Sequence, residues 1–332
     1  MDTLLIGLEV FPICLILTMA TTQIILPRLR RAHAGQYILE IGPAWHKTKE
    51  GTPTMGGIAP LCGTIVTGVI FALYLSLRIK ADMTPWLLTL LFALGNACVG
   101  MVDDLTKIRH AKNQGLTPWQ KLILQSALAV AFLLLLRIRG VVTTRLPIPF
   151  FGITLDFGWF WYPFFFLVLI WFVNCANLTD GIDGLAASVT GVIGIFYLLM
   201  ARKTDNMSLT LTAATLAGGA FGFFAFNRHP AKIFMGDTGS LFFGGLISGC
   251  AMISGSPLLL FLTAFVFFIE GVSVVLQVVW FKLTHGKRLF KMAPLHHHFE
   301  KCGMGEWTIT LLFTLLTALM SFLAYWGIAN GI

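Results

Sequence analysis

The chain has 332 residues, of which 57% are hydrophobic and only 11% charged, and its mean hydropathy of +0.82 excludes an ordinary soluble domain of this length. Its formal charge of +8 sits on loops between apolar runs. That pattern speaks for topology signals and contact with anionic membrane lipid, and against nucleic acid, which would call for a soluble basic domain.

Segments apolar enough to span a bilayer recur along the whole chain, at about 4–27, 55–77, 85–102, 119–138, 160–176, 184–200, 208–226, 240–254, 257–281 and 307–329. The expected fold is an all-α polytopic membrane protein of about ten transmembrane helices. Residues 1–332 form one membrane domain in this reading, because no linker, low-complexity tract or internal repeat divides them. The first segment lacks a basic leader and is preceded or entered by Asp2 and Glu9, so it reads as a retained span rather than a cleaved signal. Six cysteines without Cys-x-x-Cys spacing read as small apolar fillers, not as disulfides or zinc ligands.

The polar residues that interrupt this pattern carry the chemistry. Lys49-Glu50-Gly51-Thr52-Pro53-Thr54-Met55-Gly56-Gly57 opens the second segment. Lys49 and the hydroxyls of Thr52 and Thr54 suit phosphate, although Thr-Pro before Gly-Gly is also an ordinary helix start. The third segment ends in Asp103-Asp104. Adjacent carboxylates repel unless something positive lies near, and they suit proton removal from phosphate or hydroxyl, or Mg²⁺ binding; the plainer alternative is a solvated helix end. Between the fourth and fifth segments, Val141–Thr144 and Ile153–Leu155 are strand-like with Pro147 and Pro149 between them, which predicts a small outer hairpin within 140–158.

Asn177, Asp180 and Asp183 recur every third residue, with Gly181 and Gly184 beside them. Glycines let backbone N–H groups approach an anion, and the side chains can bond sugar, base or metal-bound water. Helix capping accounts for one such residue but less readily for three. Phe234-Met235-Gly236-Asp237-Thr238-Gly239-Ser240 puts a hard oxygen ligand at a small-residue turn opening a helix, an arrangement suited to metal and phosphate. Phe234 can stack on a nucleobase or anchor at the membrane interface. Glu270, inside the ninth segment, is either functional or a structural group of the bundle, and Gln277 lies two turns on. Pro294-Leu295-His296-His297-His298-Phe299-Glu300 lacks the His-x-x-x-His face of a zinc site, so hydrogen bonding or acid–base work near phosphate fits it better.

Charge sets the expected orientation. With the N-terminus outside, 16 of the 23 Lys and Arg fall on inner loops, as do Asp103, Asp104, Asp180, Asp183, Asp237 and all eight histidines. Both termini are therefore expected outside.

Five motifs in this order resemble the polyprenyl-phosphate N-acetylhexosamine-1-phosphate transferase superfamily, and within it the bacterial cell-wall branch of phospho-N-acetylmuramoyl-pentapeptide transferases. They are Gly51–Gly57, Asp103-Asp104, Asn177–Ala186, Phe234–Ser240 and Ala293–Glu300, and they run through nearly the whole chain. The histidine triplet is similar to the peptidoglycan branch rather than to relatives that transfer N-acetylglucosamine-1-phosphate.

The resemblance implies ten spans in the bacterial cytoplasmic (inner) membrane with a cytoplasmic active site. It implies transfer of phospho-MurNAc-pentapeptide from UDP-MurNAc-pentapeptide to undecaprenyl phosphate, giving lipid I and UMP. It also implies Mg²⁺ and a homodimer. On this reading Asp237 and Asn177 hold the metal, Asp103 deprotonates or orients the lipid phosphate with Asp104 in support, and the lipid enters near Gln277. Lys49, Asp183, Asn227 and Phe234 take the uridine end; Thr54, Asp180 and His296, His297 and His298 take the phosphates or the sugar–peptide. Direct attack and a double displacement through a carboxylate both remain open. The rivals are a related UDP-hexosamine transferase, an intramembrane aromatic prenyltransferase and an ion-coupled transporter. The adjacent aspartates fit the second poorly, and the collection of acids at one face fits the third poorly.

Overall fold

The computed structural model describes residues 2–31, 51–110 and 115–331. Helix α1 (Thr3–Arg31) is followed by α2 (Ile58–Tyr74), which ends in a π-helical turn, Leu75–Ile79, and by α3 (Thr84–His110) and α4 (Pro118–Ile138). A hairpin of β1 (Arg145–Ile148) and β2 (Ile153–Asp156) leads to α5 (Trp161–Thr179), α6 (Leu185–Thr204), α7 (Met207–Asn227) and α8 (Gly236–Ile253). The chain ends with α9 (Leu260–Thr263), α10 (Phe265–Leu283), α11 (Leu295–Lys301) and α12 (Glu306–Gly331).

Local sequence explains the helix starts. Thr117 caps α4 reciprocally with Gln120: its hydroxyl accepts from Gln120 N at 3.3 Å and its N–H donates to Gln120 Oε1 at 2.9 Å, with Pro118 in the first turn. Asn206 Oδ1 accepts from Leu209 N at the start of α7. Backbone groups inside a bilayer have no water to bond, so each crossing must be such a continuous helix.

Among the described residues, nine helices are long and apolar enough to cross a membrane: α1 to α7, α10 and α12. The protein is a polytopic, all-α membrane protein. The segment expected at 240–254 is α8, and it is the most enclosed: every residue from Thr238 to Ile253 is buried. Its glycines lower its hydropathy and let it wedge between neighbours. A methyl on Gly245 would lie 2.7 Å from Ala93 Cα of α3, and one on Gly244 2.8 Å from Val173 Cα of α5. The segment expected at 257–281 is not one helix. A 3₁₀ turn and α9 precede a break at Ala264 (φ −101°, ψ 31°), and α10 begins after it.

The hairpin lies within 140–158, but its first strand is Arg145–Ile148 rather than Val141–Thr144. The register pairs Arg145 with Asp156 and Ile148 with Ile153, and the reversal at 149–152 uses positive φ at Phe150 and Gly152. Pro147 is tolerated because both strands of a two-stranded ribbon are edges. Thr143 and Thr144 are β-branched yet lie outside the ladder.

The helix ends sort onto two faces. One face carries Asp82, Ser208, Asn206 and Ile253, joined by the Ser208 hydroxyl donating to Asp82 O (2.8 Å) and Asn206 Nδ2 donating to Ile253 O (3.0 Å). The opposite face gathers the C-terminal ends of α3, α5 and α7 and the N-terminal ends of α2, α4, α6, α8 and α12.

Candidate active site

Asp237, in the first turn of α8, is the hub of this second face. Its Oδ2 accepts from Lys121 Nζ of α4 at 2.5 Å and lies 3.4 Å from Lys107 Nζ of α3. Its Oδ1 accepts from Asn177 Nδ2 at 3.0 Å, near the C-terminus of α5. The same amide reaches Ser240 Oγ at 2.8 Å. Asp103, 1% exposed, holds both lysines through Oδ2, at 2.6 Å to Lys107 and 3.0 Å to Lys121, and its Oδ1 accepts from Leu116 N at 2.7 Å.

Asp104 works differently. It is 4% exposed and caps α8 from another helix, accepting from Asp237 N (3.1 Å), Thr238 N (2.9 Å) and Thr238 Oγ1 (2.7 Å). Those are orphan donors of a helix N-terminus, and a carboxylate there is doubly favoured by hydrogen bonding and by the helix dipole. Ligand atoms of Asp103, Asp104 and Asp237 all lie within 4.8 Å of one another. Thr54 joins them: a methyl on Gly236 would meet Asp104 Oδ2 at 2.7 Å and Thr54 Oγ1 at 3.1 Å. The Pro53–Gly57 backbone is fixed there by Phe234 N donating to Pro53 O, Gly56 N to Phe234 O and Gly57 N to Met235 O, each at 2.8 Å.

Asp180 lies within the field of this cluster. Burial first, then repulsion from Asp237, Asp104 and Asp183, push its carboxyl well above the usual carboxylate range. The carboxylates of Asp103 and Asp237 hold the ammonium groups of Lys107 and Lys121, and Asp104 adds a third carboxylate to the same cluster. Ligand atoms of three carboxylates that converge this closely suit a divalent cation. Hard carboxylate oxygens and the amide oxygen of Asn177 are the donor set that Mg²⁺ prefers.

A second cluster lies beside the first. Asp183 Oδ2 pairs with His229 Nδ1 and accepts from Ala231 N, each at 3.0 Å, and Asp183 N donates to Glu306 Oε2 at 3.1 Å. Asn227 is a staple: Oδ1 accepts from Gly184 N (3.1 Å) and Nδ2 donates to Ile233 O (2.9 Å). A pocket of ≈ 420 Å³ opens next to it, lined in part by Arg228, His229, Lys232 and Trp307. Replacing Asn227 by Leu leaves two buried backbone groups without partners, at about 1–3 kcal/mol each. The expected result is a lowered thermal unfolding midpoint in detergent together with reduced turnover; an unchanged midpoint would contradict the staple.

The histidines of α11 point three ways. His296 pairs with Glu270, His297 Nδ1 with Glu300 Oε2 (2.6 Å), and His298 Nδ1 accepts from Lys291 N (3.1 Å). Gln277 is turned to the loop after α10, with Oε1 accepting from Leu289 N and Phe290 N and Nε2 donating to Phe290 O. Both ends of its amide thus hold protein backbone. Phe234 is half-buried on the segment that leads into α8. Lys49 lies outside the described residues. All six cysteines are free, and Cys14, Cys175 and Cys250 are buried.

Comparison with known proteins follows the same residues. Residues 86–255, from α3 to the end of α8, match the family model of glycosyl transferase family 4. Residues 49–59 match signature 1 of the phospho-N-acetylmuramoyl-pentapeptide-transferases. Proteins of that name are 41% identical in Halalkalibacterium halodurans over 93% of both chains, and 40% identical in Enterococcus hirae over 94% of this chain and 95% of its relative. In a Thermoanaerobacter species the identity is 38% over 96% of this chain and 97% of its relative. The chain belongs to the phospho-N-acetylmuramoyl-pentapeptide-transferase family.

The family's signature overlaps the Pro53–Gly57 segment that lies against Phe234 and Met235, so it marks a wall of the acidic site. Membership makes the chain a transferase and sets aside the transporter and prenyltransferase readings. Sequence reasoning missed four partners within these two clusters. Lys107 and Lys121 counted only as topology charges; the signal for Lys107 was its place one turn after Asp103. Thr238 and Glu306 gave none, since their partners Asp104 and Asp183 are 134 and 123 residues away.

Proposed function

We propose that this chain transfers phospho-MurNAc-pentapeptide from UDP-MurNAc-pentapeptide to undecaprenyl phosphate, giving lipid I and releasing UMP. The observation that supports it best is Asp237 on Lys107, Lys121 and Asn177 at the meeting point of four helix ends, in a chain so similar to this family. Both reactants are anions, so the barrier is dominated by charge, and fixed cations where charge develops are the natural remedy.

Asp237 and the carbonyl oxygen of Asn177 would hold Mg²⁺, which when bound neutralises charge on the diphosphate. Asp103 orients the lipid phosphate and accepts its proton. Asp104 fixes the first turn of α8 and hence Asp237. Lys107 and Lys121 supply positive charge to phosphate oxygens. Thr54, Asp180 and the His296–His298 turn face the phosphates or the sugar–peptide. Lys49, Asp183, Asn227 and Phe234 serve the uridine end, Asn227 by shaping the loops on either side. Lipid enters near Gln277. The site faces the cytoplasm from the bacterial inner membrane, both termini lie outside, and the protein works as a homodimer.

Purified protein given both substrates should release UMP only with Mg²⁺ and with undecaprenyl phosphate present. UMP release without the lipid phosphate would replace direct attack by a double displacement. A radiolabelled lipid product from UDP-GlcNAc in place of UDP-MurNAc-pentapeptide would reassign the donor.

A further inference from the structure

Glu270 has no place in the scheme above, yet it is a fully buried carboxylate on a membrane helix. Its Oε1 accepts from His296 N at 3.1 Å and its Oε2 lies 3.1 Å from His296 Nδ1, so it grips one residue at two points. His296 is also fully buried. This pair draws α11 back onto α10 and leaves the imidazole no freedom to turn. The far nitrogen, His296 Nε2, has no hydrogen-bond partner among the described residues. It is aimed at the loop between Asp180 and Asp183: a methyl built on Gly181 would lie within 2.9 Å of both ring Cε1 and Nε2. A buried polar atom without a partner is costly, and one that faces a binding loop calls for a ligand group. A carboxylate on one imidazole nitrogen keeps a proton there, and the far nitrogen can donate to an anion only when the ring carries its second proton, a state that the negative carboxylate favours.

Resting on the transfer reaction above, we infer that Glu270 is a positioning residue that acts through His296: it pairs with the ring as the imidazolium, one N–H on Glu270 and the other, Nε2–H, delivered to the anionic diphosphate of the nucleotide-sugar donor. Gly181 is part of the same device, because any side chain there would displace the ring. No covalent step is involved: Glu270 never touches substrate, and its effect vanishes when the imidazole is gone.

A double-mutant cycle tests this. Glu270→Gln fills the same volume and keeps an oxygen for His296 N, but it takes the negative charge off Nδ1. Its kcat should fall by about 10–100-fold, as for other partners that orient a functional histidine. The KM for undecaprenyl phosphate should stay within about twofold, because a loss confined to the donor's transition state does not touch the lipid. In a His296→Ala background the Glu270→Gln change should cost nothing further. Should Glu270→Gln not fold, Glu270→Asp carries the same cycle with the charge kept and the reach shortened. Near-normal kcat in the Glu270 variants, or losses that multiply in the double variant, would overturn the proposal. Calorimetric binding of inorganic pyrophosphate with Mg²⁺ separates this from the functional reading. The same non-additive loss of affinity supports the pair even in a protein that uses neither proposed substrate, and undiminished affinity in both single variants overturns it whatever the substrate.

Discussion

Asp237→Asn is expected to lower kcat by about 10³-fold, within the range for removing one fixed charge aimed at a transition state, while the protein still folds. The fold should hold because Asn keeps the shape of the side chain and an oxygen for Asn177, and because α8 is capped by Asp104 rather than by Asp237 itself. Turnover should not, because the charge that balances Lys107 and Lys121 disappears. With Asp237 gone the two ammonium groups are left on Asp103 alone, and the cluster loses one of the three carboxylates that a divalent cation would use. UMP release and a thermal melt on the same preparation check both halves. Activity within about threefold of wild type would remove Asp237 from the reaction, since a charged hydrogen-bond partner at a working site is worth more than that.

Gly100→Ala should cost about 100-fold in turnover without touching any polar group. The added methyl would lie 2.3 Å from Asp237 O and 2.7 Å from Thr238 N, so it runs into the backbone of the first turn of α8. Backbone there cannot rotate away as a flexible side chain could. The α3–α8 contact must open by about 1 Å for ordinary packing, which also stretches the three bonds that Asp104 makes to α8. A misplacement of about 1 Å in catalytic groups is worth about 10²-fold. Gly305→Ala is the control, since nothing lies within 4 Å of its added methyl. Equal activities for the two variants would mean that the helix contact does not set the geometry of the site.

The sequence made the spans and the acidic motifs easy to see for one reason: polar residues in an apolar chain are few, and each marks a helix end or a site. Counting spans placed Asp103, Asp104, Asp180 and Asp237 on one face, because each crossing moves the chain to the opposite side; it could not show how closely they gather there. What stayed hidden has physical causes. The break at Ala264 carries neither proline nor glycine, so nothing in the run of apolar residues announces it. The β-branched run at 141–144 invited a strand, but the reversal at 149–152 sets the register and leaves that run outside. The role of Asp104 was legible only as a support for Asp103, whereas its bonds are to the end of a helix far away in the chain. Glu270 could be flagged as a charge inside a span, but its partner His296 lies beyond a loop and on another helix. Gln277 was close to the right loop and yet faces that loop's backbone.

The most direct test of a divalent metal on Asp237 is a change of metal preference. In Asp237→Cys the hard oxygen becomes a soft thiolate, which favours Cd²⁺ over Mg²⁺. UMP release by this variant should be lost with Mg²⁺ and restored in part by Cd²⁺, while wild type keeps its preference for Mg²⁺. A variant whose residual rate is the same with either ion, or with neither, would contradict it.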